Sequence, residues 1–286
     1  MYNNALKNPE WTVIFKTIDD SLADEKGETI DNLRVALEDD RKLVQQDMMT
    51  IDEFNQEWYC SFDAGIRGSV YGEEIAKARE EKRITKVPYE EGLLVNTVWD
   101  LGIGDSMSIG FFQTYGTQER MIDYYENSGQ GIEHYIRVLQ DRKYIYGKHY
   151  APHDIMVREL GTGKSRFETA KILGITFETR IANIVKNGIT TTKVKSALPS
   201  ISIQEGIDQA KLLWNKIWID EEKCGLFVET ISQYHREFNE KMKEYSLEPV
   251  HDFSSHAADM FRYRAIVPKP QQQVINNSYI PKAERF

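Results

Sequence analysis

Cysteine is nearly absent: the 286 residues hold two, Cys60 and Cys224. They form no metal-binding spacing and no disulfide framework, which points to a reduced, cytosolic chain. No apolar run approaches the ~18 residues of a membrane span. The opening stretch MYNNALKNPEW lacks the basic and apolar regions of a secretory signal. Positive charge is also short: 36 Lys and Arg stand against 45 Asp and Glu, a net of −9. Taken alone, that balance argues against a polyanionic partner. Hydrophobic residues make up 41% and aromatics 11%, enough for a proper core.

A nucleotide-binding loop is missing too, although one stretch imitates it. Residues 158–167 read RELGTGKSRF, and Gly163-Lys164-Ser165 fits the end of the G-x-x-x-x-G-K-[ST] pattern. The opening glycine of that pattern falls on Arg158, whose side chain cannot sit where the backbone must curl around a phosphate. Residues 151–157, Ala-Pro-His-Asp-Ile-Met-Val, are no apolar strand leading into such a loop. Hydrolysis of a nucleoside triphosphate is therefore not expected here.

What is present is unevenly placed. Residues 1–60 carry 14 acidic and 6 basic side chains, whereas 142–195 carry 11 basic and 4 acidic. Residues 260–286 add five basic against one acidic. The basic charge gathers in the middle and at the tail, which permits a polyanion there; a solvated face is the plainer explanation of such a run.

Periodicity divides the chain into an acidic, mainly helical segment (1–88), an α/β domain (89–267) and a tail rich in Pro, Gln and Asn (268–286). In the first segment, weak helical periodicity surrounds Ile30–Leu43, Thr50–Glu53 reads as a capping box, and Val70–Glu81 reads as a charged helix. Three strands follow at Leu93–Leu101, Ser106–Tyr115 and Glu119–Tyr125, joined by short links as a meander. A helix carries Ile132, Tyr135, Ile136 and Leu139. A fourth strand lies within Tyr144–Asp154 and a fifth at Phe177–Ile181. Capping boxes at Ser165–Glu168 and Ser202–Glu205 open further helices, the second carrying Ile203 through Ile217 on one face. Asp220 caps another helix with Cys224, Phe227, Ile231, Tyr234 and Phe238 inward, and a last helix starts near Ser254 or Ser255. The order β-β-β-α-β-α-β-α-α-α predicts a mixed α/β sheet flanked by helices, in the order of the ribonuclease H-like fold. Asn187-Gly188 between two β-rich runs predicts a hairpin over about 181–195.

Three aspartates fall at element ends: Asp100 after the first strand, Asp154 after the fourth, Asp259 in the last helix. In a ribonuclease H-like sheet the first and fourth strands are neighbours, so Asp100 and Asp154 would share an edge. Clustered carboxylates repel unless a cation compensates. Two hard divalent cations suit them and would serve a phosphodiester displacement. Taken singly, each aspartate is more simply a cap, a turn residue or a solvated helix residue. Asp105, across a glycine turn, is a weaker candidate for a second metal. Asp252, His256 and Asp259 would share a face if the last helix began early enough, but nothing supplies a convincing fourth zinc ligand. His153 reads as a strand-end residue, and Asp123 and Glu126 as solvated.

The residues Trp99-Asp100-Leu101-Gly102-Ile103-Gly104-Asp105-Ser106, Ile122-Asp123-Tyr124-Tyr125-Glu126, Pro152-His153-Asp154, Arg158-Glu159 with Gly161 to Arg166, and His251-Asp252-Phe253 with Ser255 to Asp259 resemble, in order, the nuclease domain of tailed-phage terminase large subunits. The resemblance runs from about residue 50 to 267. It implies a ribonuclease H-like nuclease that cuts concatemeric viral DNA with two Mg²⁺ or Mn²⁺ during genome packaging, in the cytoplasm of the bacterial host. It places metal-binding and catalytic roles on Asp100, Asp154 and Asp259. It also implies double-stranded DNA, a terminase small subunit, a portal protein and a separate ATPase part as partners, and no membrane. The family's ATPase core has no counterpart here; a fragment or a split gene would both account for that. Residues 1–60 resemble only the segment linking ATPase to nuclease.

Against that background RELGTGKSRF reads as a glycine turn into a helix N-terminus, an anion site facing the DNA backbone. Arg158, Lys164, Arg166, Lys186 and Lys193 are the candidate DNA contacts. Two other functions compete: a ribonuclease H-like resolvase or transposase, for which no target-specific module is visible, and a non-catalytic module docking DNA or a motor protein.

Overall fold

The computed structural model describes residues 18, 31–46, 48–49, 54, 58, 68–102, 106–159, 163–186, 189–239 and 241–267. In chain order the elements are α1 (Asp31–Gln45), α2 (Gly72–Glu80), β1 (Ile84–Thr85), β2 (Val95–Asp100), β3 (Ser106–Tyr115), β4 (Gln118–Ser128), α3 (Ile132–Asp141) and β5 (Tyr146–Tyr150). A 3₁₀ turn (His153–Met156) follows, then α4 (Arg166–Ile172), β6 (Thr179–Lys186), β7 (Ile189–Ser196), α5 (Ile203–Trp214), β8 (Ile217–Asp220), α6 (Gly225–Ser232), β9 (Phe238–Asn239), β10 (Glu244–Tyr245) and α7 (Ser255–Ile266). The capping box at Thr50 and the tail from residue 268 lie outside the described residues.

Two compact units emerge, one of residues 1–73 with 232–250, the other of 74–231 with 251–286. In the first, Leu37 of α1 packs with Ile18 and Phe54, and the indole of Trp58 donates to Asp40 at 2.9 Å. The antiparallel pair β9–β10 belongs to the same unit, as does the stacked pair Tyr71–Tyr234.

The second unit is built on a six-stranded sheet in the order β1-β8-β4-β3-β2-β5. β2, β3 and β4 form the expected antiparallel meander, and β5 lies parallel to β2. Helices flank it, so the fold is the mixed α/β, ribonuclease H-like arrangement. One face carries the core of Trp99, Ile109, Phe111, Tyr135, Ile136 and Leu139, closed by α3 and α4. On the other face α7 lies across β2 and β3 and packs on α5. Gly110 makes that crossing close: a Cβ there would meet the Met260 sulfur at 2.6 Å.

Several elements differ from expectation: β1 and the β9–β10 pair are additional. The fifth strand shrinks to a single parallel bridge between Phe177 and His149. Phe177 packs edge-on against Trp99, but the polar chain from Thr179 pairs with β7 instead. Ile217 does not continue α5: the helix stops at Trp214, and Ile217 opens β8, parallel to β4. Arg83, buried, donates to the carbonyls of Trp214 and Ile217 and so holds the end of the helix and the start of the strand beside β1. Tyr234 and Phe238 lie beyond α6, which ends at Ser232.

Candidate active site

The register of the meander places the site. Asp100, the last residue of β2, stands opposite Ser108 of β3, which stands opposite Glu126 of β4. Residues directly opposite one another across strands share a face. That face is the one α7 covers: the Ser108 hydroxyl donates to the His256 carbonyl at 2.9 Å. This bond seats the first turn of α7 over the end of the sheet. There His256 Nδ1 lies 3.3 Å from Asp100 Oδ2.

Asp100 is 9% exposed. Burial raises its pKa to about 6; the neighbouring Asp259 pushes the same way, while His256 and Arg262 oppose. Asp259 itself is paired with Arg262, one turn on. Asp154 sits in the 3₁₀ turn just beyond β5, the parallel neighbour of β2. His153 Nδ1 lies 3.1 Å from Asp154 Oδ1, but outside hydrogen-bond geometry. Among the described residues that buried oxygen has no hydrogen-bond partner. Burial raises the pKa of the Tyr263 phenol, and Asp100, Asp259 and, more weakly, Asp154 push the same way against Arg262.

The donor chemistry therefore suits a hard cation: a buried carboxylate held above its ordinary range beside a second one, and an orphaned carboxylate oxygen nearby. The set is not closed. Among the described residues no three Asp, Glu, His or Cys side chains converge tightly enough to hold a metal ion. Asp259 faces Arg262, and Asp105 lies outside the described residues.

Other candidates fall as follows. Asp252 precedes α7 and accepts from Ser254 N at 2.8 Å, so it does not share a helix face with His256 and Asp259. Asp123 is not solvated. It is 7% exposed and faces the opposite side of the sheet, ion-paired with Arg142 at 2.6 Å and accepting from the Tyr144 hydroxyl. Glu126 is half-buried and accepts from Tyr124 at 2.6 Å. His256 is the residue that the sequence under-ranks. Its position depends on where α7 crosses β2, which no local spacing records.

The turn of RELGTGKSRF folds back on itself: Glu159 N donates to Lys164 O at 2.9 Å, and Gly163 takes φ +66°. Ser165 and Glu168 complete the expected capping box. The Glu168 carboxylate thus occupies the start of α4, so this helix end offers no open anion site of its own. Arg166 reaches back toward Asp100: its guanidinium lies 3.5 Å from the Gly102 carbonyl and pairs with Glu159 at 3.2 Å. Arg158 and Lys164 are exposed, Arg158 being 3.9 Å from Glu168.

β6 and β7 form the expected hairpin, with Lys186 in register with Ile189 around a two-residue loop. Its root is fixed beside the site. Ser196 is buried and donates to the Ala151 carbonyl, three residues before Asp154, and Ala197 N donates to Glu178 O at 3.0 Å. Arg180 pairs in register with Lys195, and Ala182 with Lys193, so these three basic residues line one face. Lys193 is exposed.

A ribonuclease H-like sheet with a buried aspartate, Asp100, at the end of β2 is thus the class that fold and site define. No family model matches the chain, and no curated protein does. Solved structures do. The large terminase of a thermophilic bacteriophage is 16% identical over 64% of this chain and 40% of its own, with a TM-score of 0.43. The nuclease domain of the P22 large terminase is 15% identical over 65% of this chain and 88% of its own, TM-score 0.45. The nuclease domain of the large terminase from bacteriophage SPP1, with bound Mn, is 11% identical over 59% and 84%, TM-score 0.41. The chain spans well under two thirds of the first of these three proteins.

Proposed function

We propose that this chain is a metal-dependent DNA endonuclease that cuts concatemeric viral DNA during genome packaging. The carrying observation is the buried Asp100 at the end of β2, with Asp259 and His256 delivered to it by α7 and Asp154 placed just after the adjacent β5. The ordered motif resemblance to terminase nuclease domains supplies the substrate. Asp100 and Asp154 are the residues that would hold two divalent cations, Mg²⁺ or Mn²⁺, with Asp259 joining on exchange of its Arg262 partner and Asp105 as a further candidate. Bound there, the cations would supply Lewis acidity and an activated water for phosphodiester hydrolysis. His256 orients Asp100 through Nδ1. Arg158, Lys164, Arg166, Lys186 and Lys193 would hold the backbone of double-stranded DNA. A small subunit, a portal and a separate ATPase part are the proposed protein partners.

Supercoiled plasmid with Mn²⁺ tests this. The wild type should linearise and then degrade it with little sequence preference. Asp100→Asn and Asp154→Asn should each lose at least ~10²–10³-fold in rate while folding normally, as removal of one charge-stabilising group does elsewhere. Full activity in either variant refutes the assignment. A second reading, a non-catalytic docking module, draws on the open arrangement of the carboxylates; it requires that the wild type bind the plasmid without cutting it.

A further inference from the structure

A cavity of about 490 Å³ opens beside the carboxylates, between the 3₁₀ turn, the root of the hairpin and α7. Its volume is within the ~300–1,000 Å³ usual for small-ligand sites. The walls are mixed, and their apolar part comes from Met156 in the turn of Asp154, Leu198 and Ile201 in the loop after β7, and the ring of Tyr263. Three cations border it, Arg180, Lys195 and Arg262. The cavity borders the carboxylate cluster: Arg262, which lines it, is the partner of Asp259, and His153, also in its wall, adjoins Asp154. Metal binding and hydrolysis at the cluster make no use of it.

The occupant must combine a flat apolar body with negative charge, and must lie next to a phosphodiester under attack. A nucleotide satisfies all three requirements. A base stacked and paired in a duplex does not, since its faces are covered. We propose that this cavity receives an unpaired nucleotide of the DNA strand being cut, its base against Tyr263 and the Leu198–Ile201 loop and its phosphate toward Arg180 and Lys195. The inference rests on the DNA-cutting reading. Stacking on an aromatic ring is worth ~1–3 kcal/mol per base, and opening a paired base costs a few kcal/mol, least where pairing is already lost. The strand is therefore cut fastest where it is already open.

Two measurements on the full chain test this. In EDTA, where nothing is cut, a (dT)8 oligonucleotide carrying one 2-aminopurine should bind with a change in fluorescence. Ile203→Trp, which fills the cavity from the first turn of α5, should weaken that binding at least tenfold, and so should the pair Arg180→Gln with Lys195→Gln. With Mn²⁺, a 40-base-pair duplex with a central four-base bubble should be cut at least tenfold faster than its fully paired counterpart. Ile203→Trp should erase that preference while still cutting the paired duplex. Equal cutting of both duplexes by the wild type, or unchanged oligonucleotide affinity in both variants, overturns the inference. Plasmid cutting without bubble preference leaves the nuclease standing and removes only the cavity's role. Oligonucleotide binding lost in both variants, with no cutting by the wild type, sustains the cavity and removes the nuclease.

Discussion

Asp100 is legible in the sequence because a strand's apolar run ending in an aspartate is a local pattern. Asp123 is not, because the same pattern does not say which face a residue takes. The irregularity between Phe111 and Phe112 shifts the pairing of β3 with β4, and Asp123 ends up buried against Arg142. Burial of polar groups at this sheet has a measurable consequence. Asp100 titrates at about 6 in the fold against an ordinary 3.8, and burial holds His149 neutral down to about 4 against 6.5. The fold prefers protonated Asp100, so this residue subtracts stability as pH rises from about 4 to 6. His149 acts in reverse: the unfolded imidazole takes up a proton below 6.5 that the folded one refuses, so stability is lost as pH falls from 6.5 to 4. Each displacement is worth about 3 kcal/mol at ~1.36 kcal/mol per pH unit. The two slopes oppose one another in the wild type. Asp100→Asn should leave the His149 slope alone, and its melting temperature should fall more steeply than wild type on acidification from pH 6.5 to 4. His149→Gln should show the opposite change. Melting curves for both that parallel the wild type across this range would rule out the two buried groups as the source.

At the scale of elements, what is legible is what is encoded locally. The Ser165 and Ser202 capping boxes open α4 and α5 as predicted, and the β6–β7 ladder forms on either side of Asn187-Gly188. β8 is hidden because Ile217 continues the helical spacing of α5. The distant Arg83, donating to two carbonyls at that point, and pairing with β1 and β4 turn 217–220 into a strand. The fifth strand reads too long for a related reason: β propensity at 177–181 does not say which partner the chain will choose, and the hairpin takes it. The hairpin makes its ladder bonds within itself, so its outer part is dispensable to the sheet, whereas its root is tied in through Ser196. Replacing 183–193 by a short Gly-Ser turn should therefore leave the melting temperature within a few degrees of wild type and slow plasmid cleavage or weaken DNA binding severalfold. Ser196→Ala should instead lower the melting temperature. It strips the Ala151 carbonyl and the Leu198 amide of a buried partner, a loss of ~1–3 kcal/mol in stability. A deletion variant that binds and cuts DNA as the wild type does would remove the hairpin from the DNA path.

For the whole molecule, net charge alone misleads. At −9 the chain should repel DNA, yet residues 142–195 carry 11 basic side chains against 4 acidic, while 1–60 carry the excess of acid. The fold gathers part of that basic segment around one end of the sheet: Arg166 beside Gly102, and Arg180 and Lys195 at the hairpin root fixed to Ala151. The proposed DNA binding is then local, weak and sensitive to salt, since each phosphate neutralised releases counterions, and log affinity falls linearly with log salt at ~0.9 per contact. Arg166 is engaged with Glu159 and must trade that carboxylate for a phosphate. Glu159 lies at the surface, where such a pair is worth only ~0–1 kcal/mol, so the exchange costs little. Lys164→Ala combined with Arg166→Ala removes up to two contacts and should flatten the slope by up to ~1.8. Fluorescence anisotropy of a labelled 30-base-pair duplex between 50 and 200 mM KCl, in EDTA, would read this directly. The loss should be similar for duplexes of unrelated sequence, because backbone contacts position DNA without reading it. An unchanged slope in the double variant would move the duplex off this turn and leave the hairpin face of Arg180, Lys193 and Lys195 to carry it.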